Sequence, residues 1–328
     1  MAKLRIFTWH IHGNYLLYLS QADAEFYLPV DKSRGEGYGG RGDTFPFNGN
    51  VHDVAFDAVA EEEFDCILFQ TRKNFEVDQF EVLSDEQRRL PRIFLQHDPP
   101  LENPTDQRHW VDDPDTLIVH VTPFNNLMWD NGRSPSRVIE HGVEIPRGIN
   151  YIGEIAQGIV VINHLRQRGR RLGVDVFERL HREVPLELVG MDAESLGGLG
   201  EIFPPQLPTF VSQYRFFLNP IRYTSLGLAV IEAMMVGLPI IGLATTEMVT
   251  TIVNGESGFL HTDPKKLIDP MKHLLRNLGE AKRLGENARR TALERFNIDR
   301  FAGDWIRTFE EVVGRPSRRT AAVAGNFA

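Results

Sequence analysis

The sequence predicts an α/β protein made of two parallel-sheet halves, and three observations predict it. The chain has 328 residues, a length that suits two domains of about 150 residues each. Apolar runs of strand length alternate with amphipathic or turn-rich segments, and the alternation occurs twice. A stretch rich in glycine and proline separates the two series.

In the first series the apolar runs are residues 4–9, 64–69, 92–96 and 116–121. In the second they are 158–162, 186–189, 216–218 and 238–241, with helix-length segments such as 173–181 between them. The separating stretch is His141-Gly142-Val143-Glu144-Ile145-Pro146-Arg147-Gly148. It reads as a linker, so the expected domains are 1–153 and 154–298. Three helical patterns follow Pro264, the last at 299–314, where Phe301, Trp305 and Phe309 recur every four residues and make one apolar face. Residues 315–328 have no apolar pattern and are expected to form a flexible tail. Residues 31–50 carry six glycines, which predicts a long mobile loop at the carboxyl edge of the first sheet, or else a plain surface loop.

Composition narrows the function classes. Hydrophobic residues are 42% and charged residues 25%, close to the soluble average, so each half can bury a core. A formal charge of -9 disfavours a polyanionic partner, and nucleic acid is not expected. The lone cysteine, Cys66, permits no internal disulfide and suits a cytoplasmic location. No apolar stretch approaches the roughly 18 residues of a transmembrane helix, and no signal peptide is read at the N-terminus. Peripheral membrane contact stays open. The Gly-x-Gly-x-x-Gly, Gly-Lys-Ser/Thr and Gly-x-Ser-x-Gly signatures are missing where strands would precede them, against a dehydrogenase, a P-loop enzyme or a serine hydrolase. No lysine has a recognisable setting for pyridoxal phosphate, which ranks a phosphorylase last.

The segment 217–239 reads strand, polar turn, helix, glycine, strand. A helix starting near Ser225, capped by Thr224 or Ser225, would offer its amides and dipole to a phosphate. Glu232 lies two turns into that apolar helix, where a carboxylate needs a partner or a polar ligand such as ribose hydroxyls. It reads equally as a solvent-facing glutamate on an amphipathic helix. Arg166, Arg168, Arg170 and Arg171 surround Gly169, and their guanidinium groups could fork onto a diphosphate or form an exposed basic loop. In the first half, His10, His12, Gly13 and Asn14 follow the first strand, and His97 and Asp98 follow the run 92–96 at a carboxyl edge. His97 reads either as functional or as a histidine held by the turn. Asp113-Pro114-Asp115 imitates an Asp-x-Asp metal motif, but the match is short, and no metal site is assigned.

The segment around Glu232 resembles the GT4-type retaining glycosyltransferases, whose signature is P-S-x-x-E-x-F-G-L-x-x-x-E-A-M-x-x-G-x-P. Glu232 matches the second glutamate and Thr224 replaces the first. The resemblance runs on through 158–177 and 188–190 upstream and 252–260 and 296–298 downstream. It implies the GT-B fold: two Rossmann-like domains facing an interdomain cleft, an acceptor-binding domain first, a donor-binding domain second, and the last helix packing back on the first. It also implies transfer of a sugar from a nucleotide-diphosphate sugar, with retention of anomeric configuration and no cofactor or metal, to a glycan, lipid-linked or small-molecule acceptor. Donor contacts fall to Arg166, Arg168, Arg171, Thr224, Ser225, Leu226, Gly227 and Glu232. An acceptor or phosphate loop falls to His12, Gly13 and Asn14, and catalytic roles to His97 and Asp98. The rival expectations are a nucleotide-sugar epimerase or hydrolase on the same fold, and a nucleotide-binding relative without catalysis.

Overall fold

The structure is a computed structural model and describes residues 2–33 and 35–314. The chain divides into two compact units, one running to Gly142 and resuming at Ile298, the other Val143–Asn297.

The first unit carries a seven-stranded sheet of β1 (Arg5–Thr8), β2 (Glu25–Val30), β3 (Val51–Ala55), β4 (Cys66–Phe69), β5 (Arg92–Gln96), β6 (Thr116–His120) and β7 (Ser136–Val138). The order across the sheet is β3-β2-β1-β4-β5-β6-β7, and every pairing is parallel. The central strands β4, β5 and β6 are buried along their whole length. Parallel strands covered on both faces must be apolar on both, which is why they read as continuous runs. The run at 4–9 is β1. The unanticipated strands β2, β3 and β7 are mixed in polarity, and in β3 only Val51 and Val54 are buried. Pro29 argued against β2 as a strand. It is tolerated because β1 pairs only with Glu25, Phe26 and Tyr27, so Pro29 lies past the end of that ladder.

The second unit has β8 (Ile155–Val161), β9 (Leu186–Val189), β10 (Tyr214–Asn219), β11 (Ile240–Leu243) and β12 (Gly258–His261). Their order is β12-β11-β10-β8-β9, again all parallel. β10 is buried throughout and includes Arg215, whose guanidinium donates to the carbonyls of Gly153, Leu274 and Leu275 at 2.6–3.1 Å. Those carbonyls compensate a charge that would otherwise be costly to bury.

The unit boundary falls at Gly142/Val143, upstream of the expected position near 153. From Val143 onward the apparent linker belongs to the second unit by hydrogen bonding. The Val143 amide donates to Phe296 O at 3.0 Å, and the Ile152 and Gly153 amides donate to Ser212 O at 2.9 and 3.0 Å. The last helix is Ile298–Val313. It packs back on the first unit: Phe301, Trp305 and Phe309 are fully buried, and Trp305 Nε1 donates to the Tyr15 hydroxyl at 3.1 Å. The expected tail, 315–328, lies outside the described residues.

Among its described residues the glycine-rich segment 31–50 carries no helix or strand and is mostly exposed, as the surface-loop reading expects, but it is tied to the sheet at several points. Gly37 and Gly39 bridge to His10 and Val30, His10 Nδ1 meets Gly40 O at 2.5 Å, and Tyr38 and Phe47 are buried. Two buried aromatic rings anchor a stretch whose glycine content alone suggested freedom. Among the described residues no helix is long and apolar enough to cross a membrane.

Candidate active site

In each unit the strand order reverses at one point, between β1 and β4 in the first and between β8 and β10 in the second. In open α/β sheets the crevice at the carboxyl ends of the strands flanking such a reversal is where ligands bind.

The second unit concentrates backbone strain at that edge. Three non-glycine residues in the described chain have positive φ: His164 (53°), Asp192 (62°) and Thr246 (48°). β8 ends at Val161, β9 at Val189 and β11 at Leu243, so each strained residue lies three positions past the end of its strand. A left-handed conformation costs an L-residue about 1–2 kcal/mol, and for β-branched Thr246 it is a true outlier. Strain held past three strand ends along one edge of a sheet is of the kind that clusters at ligand sites. None of the three was singled out by sequence: Asp and His favour positive φ only as a statistical tendency and Thr disfavours it, so the residue type alone does not mark the position.

The arginine segment forms the helix Leu165–Leu172, broken at Gly169 (φ 61°, ψ -143°), a conformation only glycine adopts readily. Arg166 donates to Ser195 O, and Arg170 pairs with Asp175 at 2.7 Å. Arg168 is exposed. The carbonyl of Arg171 accepts the amides of Arg222 and Tyr223 at 3.0 and 3.3 Å, which stitches this helix to the turn that follows β10. The Arg171 Nη1 is buried without a hydrogen-bond partner among the described residues. Arg222, which sequence reading passed over, grips both oxygens of Asp175 at 2.6 and 2.7 Å. Its hydrogen bonds, and then the charges of Arg222 and Arg170, hold Asp175 below the usual carboxylate range.

The helix after that turn is Leu228–Val236, capped by the Gly227 backbone. It starts later than Ser225, so its N-cap is Gly227, which has no side chain, and not the expected Thr224 or Ser225. The Val230 amide in its first turn donates to Gly227 O at 3.1 Å. Leu226 is buried, and Gly227 has extended backbone. Residues 230–236 are all buried, so the helix has no solvent face, and Glu232 is only 8% exposed. This rules out the reading of Glu232 as a surface glutamate of an amphipathic helix.

In the first unit, residues from four separate segments converge at the carboxyl ends of β1, β4 and β5. The rings of His12 and His97 lie 4.0 Å apart, Tyr15 meets His97 edge-on at 4.8 Å, and Tyr15 meets His141 at 5.6 Å. Gln70 donates to Thr8 Oγ1 and Trp9 O, and its own Oε1 lies 3.4 Å from His97 Nε2. That arrangement favours the tautomer with the proton on Nε2. Asn125 donates to His97 O, and Trp129 and Gln96 donate to Asp98 O. Burial first, then the charges of His12 and His141, push His97 well below the usual imidazole range, so it is neutral at physiological pH. His12 and His97 were expected; Gln70 and His141 were not, since only the sheet brings them beside a histidine distant in sequence.

Gly13 and Asn14 open the helix Gly13–Leu19, but a side chain at Gly13 would strike the Phe45 ring at 2.0–2.8 Å. The anchored loop thus packs against this turn. Asp113 of the Asp-Pro-Asp sequence pairs with Arg92 and accepts from Thr116 Oγ1 and the Asp115 amide, a turn that opens β6. Among the described residues no group of three His, Cys, Asp or Glu side chains is placed to hold a metal ion.

This two-sheet architecture is similar to that of solved glycosyltransferases. Sucrose-phosphate synthase from Thermosynechococcus elongatus superposes with a TM-score of 0.69 at 15% identity, over 94% of this chain and 99% of that one. The fold is GT-B. HepE from Anabaena, solved in complex with UDP-glucose, is a further GT-B neighbour, with a TM-score of 0.69 at 13% identity over 94% of this chain and 99% of its own. Within the GT-B chain described here, residues 158–277 match the family Glycosyl transferases group 1. Trehalose synthase from Pyrococcus horikoshii is 36% identical over 72 residues, which are 22% of this chain and 17% of that enzyme's length.

Proposed function

We propose that this chain is a GT4-type glycosyltransferase that moves a sugar, with retention of anomeric configuration, from a nucleotide-diphosphate sugar to a glycan, lipid-linked or small-molecule acceptor. The observation that carries the reading is the strained carboxyl edge of the second sheet, flanked by Arg171 and the helix N-terminus at Gly227. In this reading the diphosphate lies at the β8/β10 reversal, against the first-turn amides of the helix Leu228–Val236 and the guanidinium groups of Arg168 and Arg171. Oriented donors of this kind stabilise the charge that develops on a departing diphosphate, in the role that a metal takes in other enzymes. Glu232 accepts from the ribose hydroxyls. Thr224 and Ser225 face the donor sugar with a hydroxyl in place of a carboxylate. A neutral His97, held by Gln70, contacts the reacting sugar with Asp98, and His12 joins them on the acceptor side. The solved UDP and UDP-glucose complexes of HepE support UDP as the first nucleotide to try.

Thermal unfolding with UDP, GDP, ADP and dTDP tests the reading. A ligand at 100 times its Kd stabilises the folded state by about 2.7 kcal/mol, a shift of several degrees for a domain of this size. We expect one nucleotide to give that rise and Glu232→Gln to reduce it. If no nucleotide raises the midpoint of the wild-type chain, the donor-site assignment fails.

A further inference from the structure

The first unit has a cavity of about 760 Å³ that the transfer reaction does not use. Its position follows from the strands. Arg92 is the first residue of β5, Asp112 and Asp113 precede β6, and Arg133 precedes β7. The cavity is therefore at the amino edge of the sheet, the edge opposite the carboxyl ends that bring His97 and His12 together. Its volume falls in the range of small-molecule and cofactor sites.

Two features of the lining indicate a ligand class. The first is aromatic. Phe80 is 62% exposed, an unusual state for a phenylalanine beside a cavity, and the Arg88 guanidinium lies 5.3 Å from its ring centroid. Phe75 and Trp110 add two further rings to the wall. The second is a near balance of charge. Arg88 pairs with Asp85, Arg92 with Asp113, and Arg133 with Asp112 at 3.1 Å. Guanidinium and carboxylate groups are thus paired within the lining, and Arg89 is exposed with no ion-pair partner among the described residues.

A polyanion would gain little here, because each added attraction to a guanidinium meets a nearby carboxylate. An apolar ligand would leave the charged rim unused. A sugar satisfies both features: its hydroxyls donate to carboxylates and accept from guanidinium groups, and the C–H face of a pyranose covers an aromatic ring. We propose that this cavity is an accessory binding site for a neutral oligosaccharide, separate from the transfer site. A glycan held there would raise its effective concentration near the chain that modifies it. The proposal concerns binding and stands apart from the identity of the donor.

Native affinity electrophoresis of the full chain in gels containing dextran, glycogen, xylan or hydroxyethyl cellulose, with a heparin gel alongside, is the test. The variants are Phe80→Ser and Arg89→Ala, both at exposed positions where the fold has least to lose. Expected is retardation of the wild type by at least one neutral polysaccharide, undiminished by saturating UDP. Loss of the stacking ring in Phe80→Ser should weaken it about tenfold, and Arg89→Ala should weaken it to a lesser degree. Passage of the wild type through every neutral gel unretarded overturns the proposal. So does retardation that Phe80→Ser leaves intact, or retardation by heparin alone. The nucleotide-dependent thermal shift of the same variants is read separately, so failure of the accessory site and failure of the donor site are distinguishable.

Discussion

Acid should destabilise the first unit well above the pH at which carboxylates titrate. His109 and His120 are both buried, at 2% and 0% exposure. His109 Nδ1 accepts the Val111 amide at 3.0 Å while Nε2 faces Gln96 Oε1 at 3.0 Å, so its acceptor nitrogen is already occupied. His120 Nε2 faces Asn131 Oδ1 at 2.8 Å, and its Nδ1 is buried without a partner, so a second proton there would be an unsatisfied donor. Burial, and then the charge of His120, pushes His109 down to about 3; burial pushes His120 down to about 4. Both start from 6.5 in the unfolded chain. Above that pH both states hold the rings neutral and stability does not depend on them. Below it the unfolded chain takes up protons that the folded chain refuses, and stability falls with pH until the folded values are passed. By pH 5 each ring has removed about 2 kcal/mol, or about 4 kcal/mol for the pair. His97 shifts in the same direction and adds to the loss. The readout is selective, because all four tryptophans, Trp9, Trp110, Trp129 and Trp305, belong to the first unit. Urea titrations followed by tryptophan fluorescence at pH 7.5, 6 and 5 give the slope directly. A loss below about 1 kcal/mol between pH 7.5 and 5 would refute the reasoning, since it requires both rings to ionise freely in the fold. His120→Gln should shrink the slope by about half.

Two further outcomes concern the second unit. Arg171→Ala removes a guanidinium whose Nη1 has no hydrogen-bond partner among the described residues, so the unfolding midpoint without ligand should hold while nucleotide affinity drops about tenfold, the scale of one charge-assisted hydrogen bond. Isothermal titration with UDP measures it; an unchanged affinity would remove Arg171 from the donor site. His164→Gly relieves a left-handed backbone at φ 53°, so stability should stay level or rise by up to about 1 kcal/mol. Nucleotide binding should weaken if that strain serves to aim the imidazole, and a large loss of stability would show that the side chain holds the fold instead.

Much of the architecture was legible because parallel strands buried on both faces leave unbroken apolar runs, as in β4, β5, β6 and β10. The same logic failed for β2, β3 and β7, whose outer positions tolerate polar residues, and for residues 143–153, where glycine and proline mimic a linker although the amides bond to the second unit. Within the site, Glu232 could be flagged as a carboxylate in an apolar helix, yet its burial depended on what packs around all sides of that helix. Arg222 looked like any surface arginine until Asp175, 47 residues earlier, was placed against it.

By itself the sequence determined the α/β class, the division into two halves, the amphipathic last helix and the cluster of arginines, all of which depend on neighbours within a few turns or one strand. Tertiary structure alone decided that Gln70 and His141 join His12 and His97, that Phe45 closes over Gly13, and that three strained residues share one sheet edge. The physical reason is that such contacts are set by strand order and crossover connections. These bring together residues tens of positions apart, and no local propensity or periodicity encodes which ones meet.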